Sequence, residues 1–348
     1  MRKWGITLAV AGVLMLVAGA VLRFVVVPRE QVLPADTNDT VTYTGDLTTV
    51  DVAAMLGGGQ NAVVQLPVTV ARTLKVLQTS GDKARVSDTA IMKSDRGTVP
   101  PSLARTEYFY AVDRSSLAAI PNFTDQPVTK AKGLVVSFPI GTEKKAYTGW
   151  VAELGTTAAV KYTGQDTLKG LTVYTFAGRT TEPMPTPPEG LPTALPKAQL
   201  GALAKALQLP AAVQQQLAQA LPALPDPVPL TYTFTEGDTY SVEPDTGVIV
   251  DMTKNVRIAV GLGDLPLQPI PALVLGLKYN DASVTDMAAK ASDARDQVRL
   301  YGTWLPAGLG LLGLVCLGAA VALLRRRPEG GTGHTVPGAP ERHPSPVG

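Results

Sequence analysis

The chain of 348 residues has one cysteine and two histidines, and none of them lies where catalysis in a central domain would need it. Cys316 sits inside a long apolar run near the C-terminus, and His334 and His343 lie in a polar tail. The central region therefore has no disulfide framework and must be held by its own apolar core. The same absence excludes Cys/His zinc sites, Ser-His-Asp hydrolysis and cysteine catalysis there. Aromatic residues make up only 5% of the chain, so the stacking platforms common in sugar-cleaving sites are scarce. A basic footprint is missing too. Of the 31 Lys and Arg, Arg2, Lys3, Arg23, Arg325, Arg326, Arg327 and Arg342 fall near the two ends, whereas of the 29 acids only Glu329 and Glu341 do. The middle is mildly acidic, which argues against a nucleic-acid surface.

What the chain does have is two long apolar runs. Residues 304–324 (WLPAGLGLLGLVCLGAAVALL) carry no charge and end at Arg325, Arg326 and Arg327. As a helix this run spans about 30 Å, the thickness of a bilayer's hydrocarbon core. Residues 4–22 form the second run, after Arg2 and Lys3. A cleaved signal peptide and an uncleaved anchor both fit its basic start. Its length and the apolar residues resuming after Arg23 favour the anchor. Because Lys and Arg are retained on the cytoplasmic side, Arg2, Lys3, Arg325, Arg326 and Arg327 set the expected topology. Both termini are expected inside the cell membrane and the main domain outside. Small residues punctuate both runs (Ala11, Gly12, Ala18, Gly19; Gly308, Gly310, Gly313, Gly318), as in helices that approach closely in lipid. Such faces serve pairing of the two spans or a homo-oligomer.

Between the runs the pattern is mainly strand-like. Residues 40–45 (TVTYTG) are β-branched and end in a turn glycine, and residues 51–56 suit a short helix before Gly57-Gly58-Gly59. Residues 63–78 and 83–92 read as a hairpin around Ser80-Gly81-Asp82. Further short strands are expected at 105–112, 134–138, 160–163, 171–176, 230–235, 239–243, 248–252 and 256–260, followed by a proline loop at 265–271. Pro-rich segments bracket an insert at 197–224 that reads as two amphipathic helices. Leu200, Leu203, Leu207, Val213, Leu217 and Leu221 form its apolar face, the candidate interaction face. Helices this short need a partner for that face, either the β domain's core or a ligand or second molecule. A helix is expected to start at Ser283 and to lead into the membrane past Tyr301 and Trp304.

Residues 33–34 (LP), the nearby Tyr43-Thr44-Gly45, residues 138–147 (FPIGTEKKAY), 170–174 (GLTVY), 242–247 (VEPDTG) and the closing span resemble the actinobacterial PorA-type porin family over nearly the whole chain. That resemblance implies a cell-envelope location and channel formation, and it supplies no catalytic residues. The residues themselves point to no catalytic, cofactor or metal site. The triglycine lacks phosphate-loop spacing, and Asp281, Asp286, Asp293 and Asp296 lack a calcium loop's alternation. Carboxylate pairs such as Glu153 with Asp166, or Glu236 with Asp238, have the chemistry for glycosidic work but no separation fixed by sequence.

The reading is an α+β membrane protein: N- and C-terminal transmembrane helices flanking a β-rich extracytoplasmic domain with a short two-helix insert. Its parts are an anchor (1–27), the β-rich domain (28–282, with linkers and insert at 182–229), a juxtamembrane helix (283–303), a second span (304–324) and a disordered tail (325–348). The expected role is non-enzymatic, binding or organising a lipid or another envelope component at the bilayer; a porin subunit is the alternative, and an exported hydrolase a remote third.

Overall fold

A computed structural model of the chain describes residues 2–27, 32–51, 63–206, 210–263 and 270–325. The expected helix at 51–56 and its triglycine, Leu207, most of the proline loop, Arg326, Arg327 and the tail lie outside the described residues. The chain divides into two units, a terminal helix pair (up to Val26 and from Tyr301) and the intervening β unit.

In the helix pair, α1 (Arg2–Val21) continues into a π-turn (Leu22–Val26), and α6 (Leu305–Arg325) follows a π-turn at Leu300–Trp304. Both segments are long and apolar enough to cross a membrane. The small residues decide how they meet. A Cβ added at Gly12 would stand 2.8 Å from the Gly313 carbonyl oxygen, and one at Gly313 would stand 2.8 Å from that of Gly12. These two glycines therefore form the crossing point, where the backbones touch without side chains between them. Around it Leu16 and Leu317 close over the opposite glycine. The remaining faces, including Val10, Val13, Val17, Leu311, Leu314 and Val315, are exposed and apolar, as lipid contact requires.

Among the described residues, ten strands of the β unit follow one another in an antiparallel sheet: β1 (Asn38–Val50), β2 (Val63–Ser80), β3 (Lys83–Lys93), β4 (Arg105–Asp113), β5 (Tyr147–Val151), β6 (Thr156–Leu168), β7 (Leu171–Pro183), β9 (Val228–Val242), β10 (Ile249–Leu262) and β11 (Ile270–Tyr279). Their spatial order is β4-β3-β2-β1-β11-β10-β9-β7-β6-β5, with the two-residue β8 (Ala194–Leu195) beside β9. The end strands β4 and β5 are joined through the chain between them. Val112 bridges Ala119, Ala118 bridges Leu134, and Leu134 bridges Gly149. The Leu134 N–H donates to the Thr148 carbonyl at 2.8 Å and the Trp150 N–H to that of Leu134 at 3.0 Å. The sheet thus closes into a barrel, which removes its open edges. Residues 134–138, expected as a strand, supply only this bridge.

Period-two alternation sends one side of each strand inward. On β9 the inward positions are Tyr232, Phe234, Glu236, Asp238, Tyr240 and Val242, and threonines fill most of the outward ones. One large core runs through the ring, from Leu47, Leu66, Leu262 and Ile270 to Phe138, Phe176 and Val242. Gly45 is required where β1 meets β11, because a Cβ there would lie 1.8 Å from the Gly276 carbonyl oxygen.

Short helical segments and one long helix attach to this barrel. Helix α2 (Pro101–Ala104) precedes β4. The insert forms α3 (Lys197–Ala206) and α4 (Ala211–Ala220), and a 3-10 turn (Leu221–Ala223) carries Pro222. Helix α5 (Asp281–Arg299) begins two residues before Ser283, because the cap is Asn280, whose side chain accepts from the Ser283 N–H at 2.8 Å. The Ser283 hydroxyl instead accepts from the Thr42 N–H at 2.8 Å, which ties the helix to β1. Val284, Ala288 and Ala291 are its buried apolar positions, the two alanines clustering with Leu171, Val173 and Val250. Lys290 pairs with Asp39, and Arg299 with Asp245 at 2.9 Å.

Candidate functional site: a charged belt inside an apolar barrel

The barrel contains a cavity of about 330 Å³, a size at the lower end of small-molecule sites. Its wall is mostly aliphatic and aromatic, with Val70, Met92, Val160, Phe234, Ile258 and Leu275 among its residues. Across the wall runs a belt of charge. Arg72 on β2 forks onto Asp88 on β3, Nε to Oδ1 at 2.8 Å and Nη2 to Oδ2 at 2.7 Å. Lys254 on β10 pairs with Glu236 on β9 and lies 3.7 Å from Asp238. The Tyr240 hydroxyl donates to Asp238 Oδ2 at 2.8 Å. Tyr43, Tyr108, Tyr110, Trp150 and Glu153 complete the belt.

Burial and pairing set the protonation of this belt. Burial pushes the Glu236 carboxyl up to about 7; Lys254 pulls it down, and the neighbouring Asp238 adds to the rise. Burial pulls the Lys254 ammonium down, but Asp238, Glu236 and Glu153 outweigh it and hold it above its ordinary range. Asp88 raises Arg72 well above its ordinary range against the cost of burial. Burial likewise raises the hydroxyls of Tyr108, Tyr110 and Tyr240, which keeps them neutral donors.

Trp150 Nε1 is buried without a hydrogen-bond partner, and Glu236 Oε2 and Asp238 Oδ1 lack one while both carboxyls are ionised, whereas a protonated Glu236 donates to Asp238. Glu236 is 8% exposed and Asp238 6%. Orphaned polar atoms on a cavity wall are costly unless something fills the cavity and satisfies them.

Of the carboxylate pairs that stand out in the sequence, Glu236 and Asp238 do lie side by side, two residues apart on the inward face of β9. Glu153 lines the same cavity, whereas Asp166 is exposed on β6. Arg72, Asp88 and Lys254 do not stand out in the sequence. Their signal is the alternation of each strand, in which a charged residue occupies an inward position. The leucine face of the insert is elsewhere. Leu200, Val213 and Leu217 are buried in the barrel's main core and Leu221 packs against it. Leu203 lies within α3 and Leu207 outside the described residues. Of the topology-setting cations, Lys3 and Arg325 are exposed at the far ends of α1 and α6, and Arg2 is the first residue of α1. Among the described residues no group of three or more His, Cys, Asp or Glu is placed to hold a metal ion.

The fold and the site define a class: a membrane protein with two apolar terminal helices and, between them in the chain, an antiparallel barrel that carries a belt of charged residues on its inward face. The family model described as Porin PorA matches residues 4–322. The chain belongs to the PorA porin family. It is 22% identical to the Porin PorA of Corynebacterium amycolatum, with 90% of this chain and 96% of that protein covered. Among solved structures, a putative MaoC-domain dehydratase from Chloroflexus aurantiacus aligns over 75% of this chain and 80% of its own, at 12% identity and a TM-score of 0.12. An N-terminal dehydratase of the difficidin assembly line aligns over 73% and 82%, at 8% identity and a TM-score of 0.10. At these scores the likeness supports no inference about fold or activity.

Proposed function

We propose that the chain is a non-enzymatic, two-pass envelope protein, with both termini cytoplasmic, whose barrel stands outside the membrane and holds an amphiphile in its lumen. The observation that carries this reading is the direction of the barrel's polarity. Transmembrane barrels turn an apolar band outward and keep a polar interior. Here the described strands expose only Leu77, Ile91 and Val274 among large apolar residues, while the interior is apolar with a single charged belt. An apolar cavity with a few convergent polar groups suits a ligand that has an apolar body and one polar end.

A second reading, the channel, is favoured by membership of the porin family. In this chain a conducting path has to come from association of several helix pairs. Gly12 and Gly313 are used within one pair, whereas Gly308, Gly310 and Gly318 have open space around them for a further copy. One experiment separates the two. The chain has three tryptophans, Trp4, Trp150 and Trp304, so replacing Trp4 and Trp304 by Phe leaves Trp150 in the lumen wall as the reporter. Saturable quenching of Trp150 by a bromine-labelled monoacylglycerol, without unitary current steps in planar bilayers, supports the amphiphile reading. Reproducible protein-dependent steps without quenching support the channel.

A further inference from the structure

We propose that the luminal belt selects the polar end of the ligand, accepting heads that donate hydrogen bonds (hydroxyl or ammonium) and rejecting phosphate and carboxylate heads. The proposal rests on the amphiphile reading above. Both cations that line the cavity among the described residues are committed, Arg72 to Asp88 and Lys254 to Glu236 and Asp238. The buried acceptors on the wall are carboxyl oxygens, Glu236 Oε2 and Asp238 Oδ1, unpartnered while both groups are ionised, and Asp238 is 6% exposed at an inward position of β9. Four carboxyls (Asp88, Glu153, Glu236, Asp238) face two cations, so carboxylates outnumber cations around the cavity even with Glu236 protonated.

An anionic head placed there meets like charge and no free cation, a juxtaposition that costs binding. A hydroxyl does better on every count. It carries both a donor for a carboxylate and an acceptor for an N–H such as the Trp150 indole, the one orphaned donor in the cavity wall among the described residues. An ammonium satisfies the acceptors alone and gains from the negative field. Hydroxyl and ammonium heads thus share the chemistry that the belt recognises, and a matched series tells them apart.

The test uses the full chain in nanodiscs with Trp4→Phe and Trp304→Phe, and brominated amphiphiles of one chain length bearing glycerol, ammonium or phosphate. The glycerol and ammonium heads are expected to quench Trp150 at concentrations about tenfold below the phosphate head. Asp238→Asn, which removes a carboxylate and supplies a donor, is expected to narrow that gap to about threefold or less. Glu153 is exposed, so Glu153→Gln is a second variant that leaves the core intact, and a smaller narrowing is expected of it. Phosphate quenching as effective as glycerol, or a gap unchanged in both variants, overturns head selection alone. Absence of quenching by all three heads overturns the amphiphile reading, and this proposal with it.

Discussion

Glu236→Gln probes the belt through the pH dependence of barrel stability. The Glu236 carboxyl stands at about 7 in the folded chain against an ordinary 4.5, chiefly because it is buried. Between those values the folded state binds a proton that the unfolded state has released. Stability therefore falls as pH rises from 4.5 through 7, and this contribution is constant above that window. Each tenfold difference in proton affinity between the two states is worth about 1.4 kcal/mol, so the decline is at most roughly 3 kcal/mol. Glu243 is raised by burial in the same direction, so the readout is the difference between wild type and variant. Urea unfolding of the full chain in detergent, followed by Trp150 fluorescence in the Trp4→Phe, Trp304→Phe background, measures it. Wild type is expected to lose stability across the window, and Glu236→Gln to flatten most of that slope. A variant with the wild-type slope, or a wild type that gains stability from pH 4.5 to 7, refutes the buried-carboxyl account.

Three further outcomes follow from the geometry. Lys254→Met leaves Glu236 and Asp238 buried without their cation, and it is expected to cost about 3–5 kcal/mol in the same unfolding assay. Leu217→Ala opens a cavity where α4 meets the barrel core, and about 2–5 kcal/mol is expected; a loss well under 1 kcal/mol means that the leucine face is not core. In the helix pair, a Cβ built at Gly19 stands 3.4 Å from that of Leu309, close to disulfide spacing. With Cys316 replaced by Ala, the pair Gly19→Cys and Leu309→Cys is expected to cross-link, and adding Gly12→Leu, which overpacks the crossing by about 1–3 kcal/mol, is expected to abolish it.

The two apolar spans and the β-rich middle are legible in the residues because length and alternation are local properties. The hairpin of β2 and β3 around Gly81 is legible for the same reason. Other parts are hidden by tertiary effects. Glu236, Gly237 and Asp238 fall between two expected strands, yet they lie mid-strand in β9, with both carboxylates inward and Gly237 outward in open space. Pairing with β7 and β10 overrides the local preference there. Strand β11 (IPALVLGLKY) escapes a reading of the residues alone, since Pro271 and Gly276 break its pattern. It lies between β1 and β10 and completes the ring. Closure itself depends on isolated bridges at Ala118, Ala119 and Leu134, which leave no periodic trace. The charged belt is hidden for a related reason. Arg72, Asp88, Glu236 and Lys254 come from four different strands and meet only because those strands face one cavity. An isolated charge within a strand reads as a solvated face until the other strands are in place.

The central claim is that the barrel's interior, and not a path along the helices, is where the ligand resides. The most direct measurement is anomalous diffraction from crystals of the full chain grown with a bromine-labelled monoacylglycerol. The account predicts bromine peaks inside the ring, against wall residues such as Phe234, Ile258 and Leu275, with the glycerol end at Glu236 and Asp238. Bromine peaks confined to the surfaces of α1 and α6, with the barrel interior free of them, would contradict it.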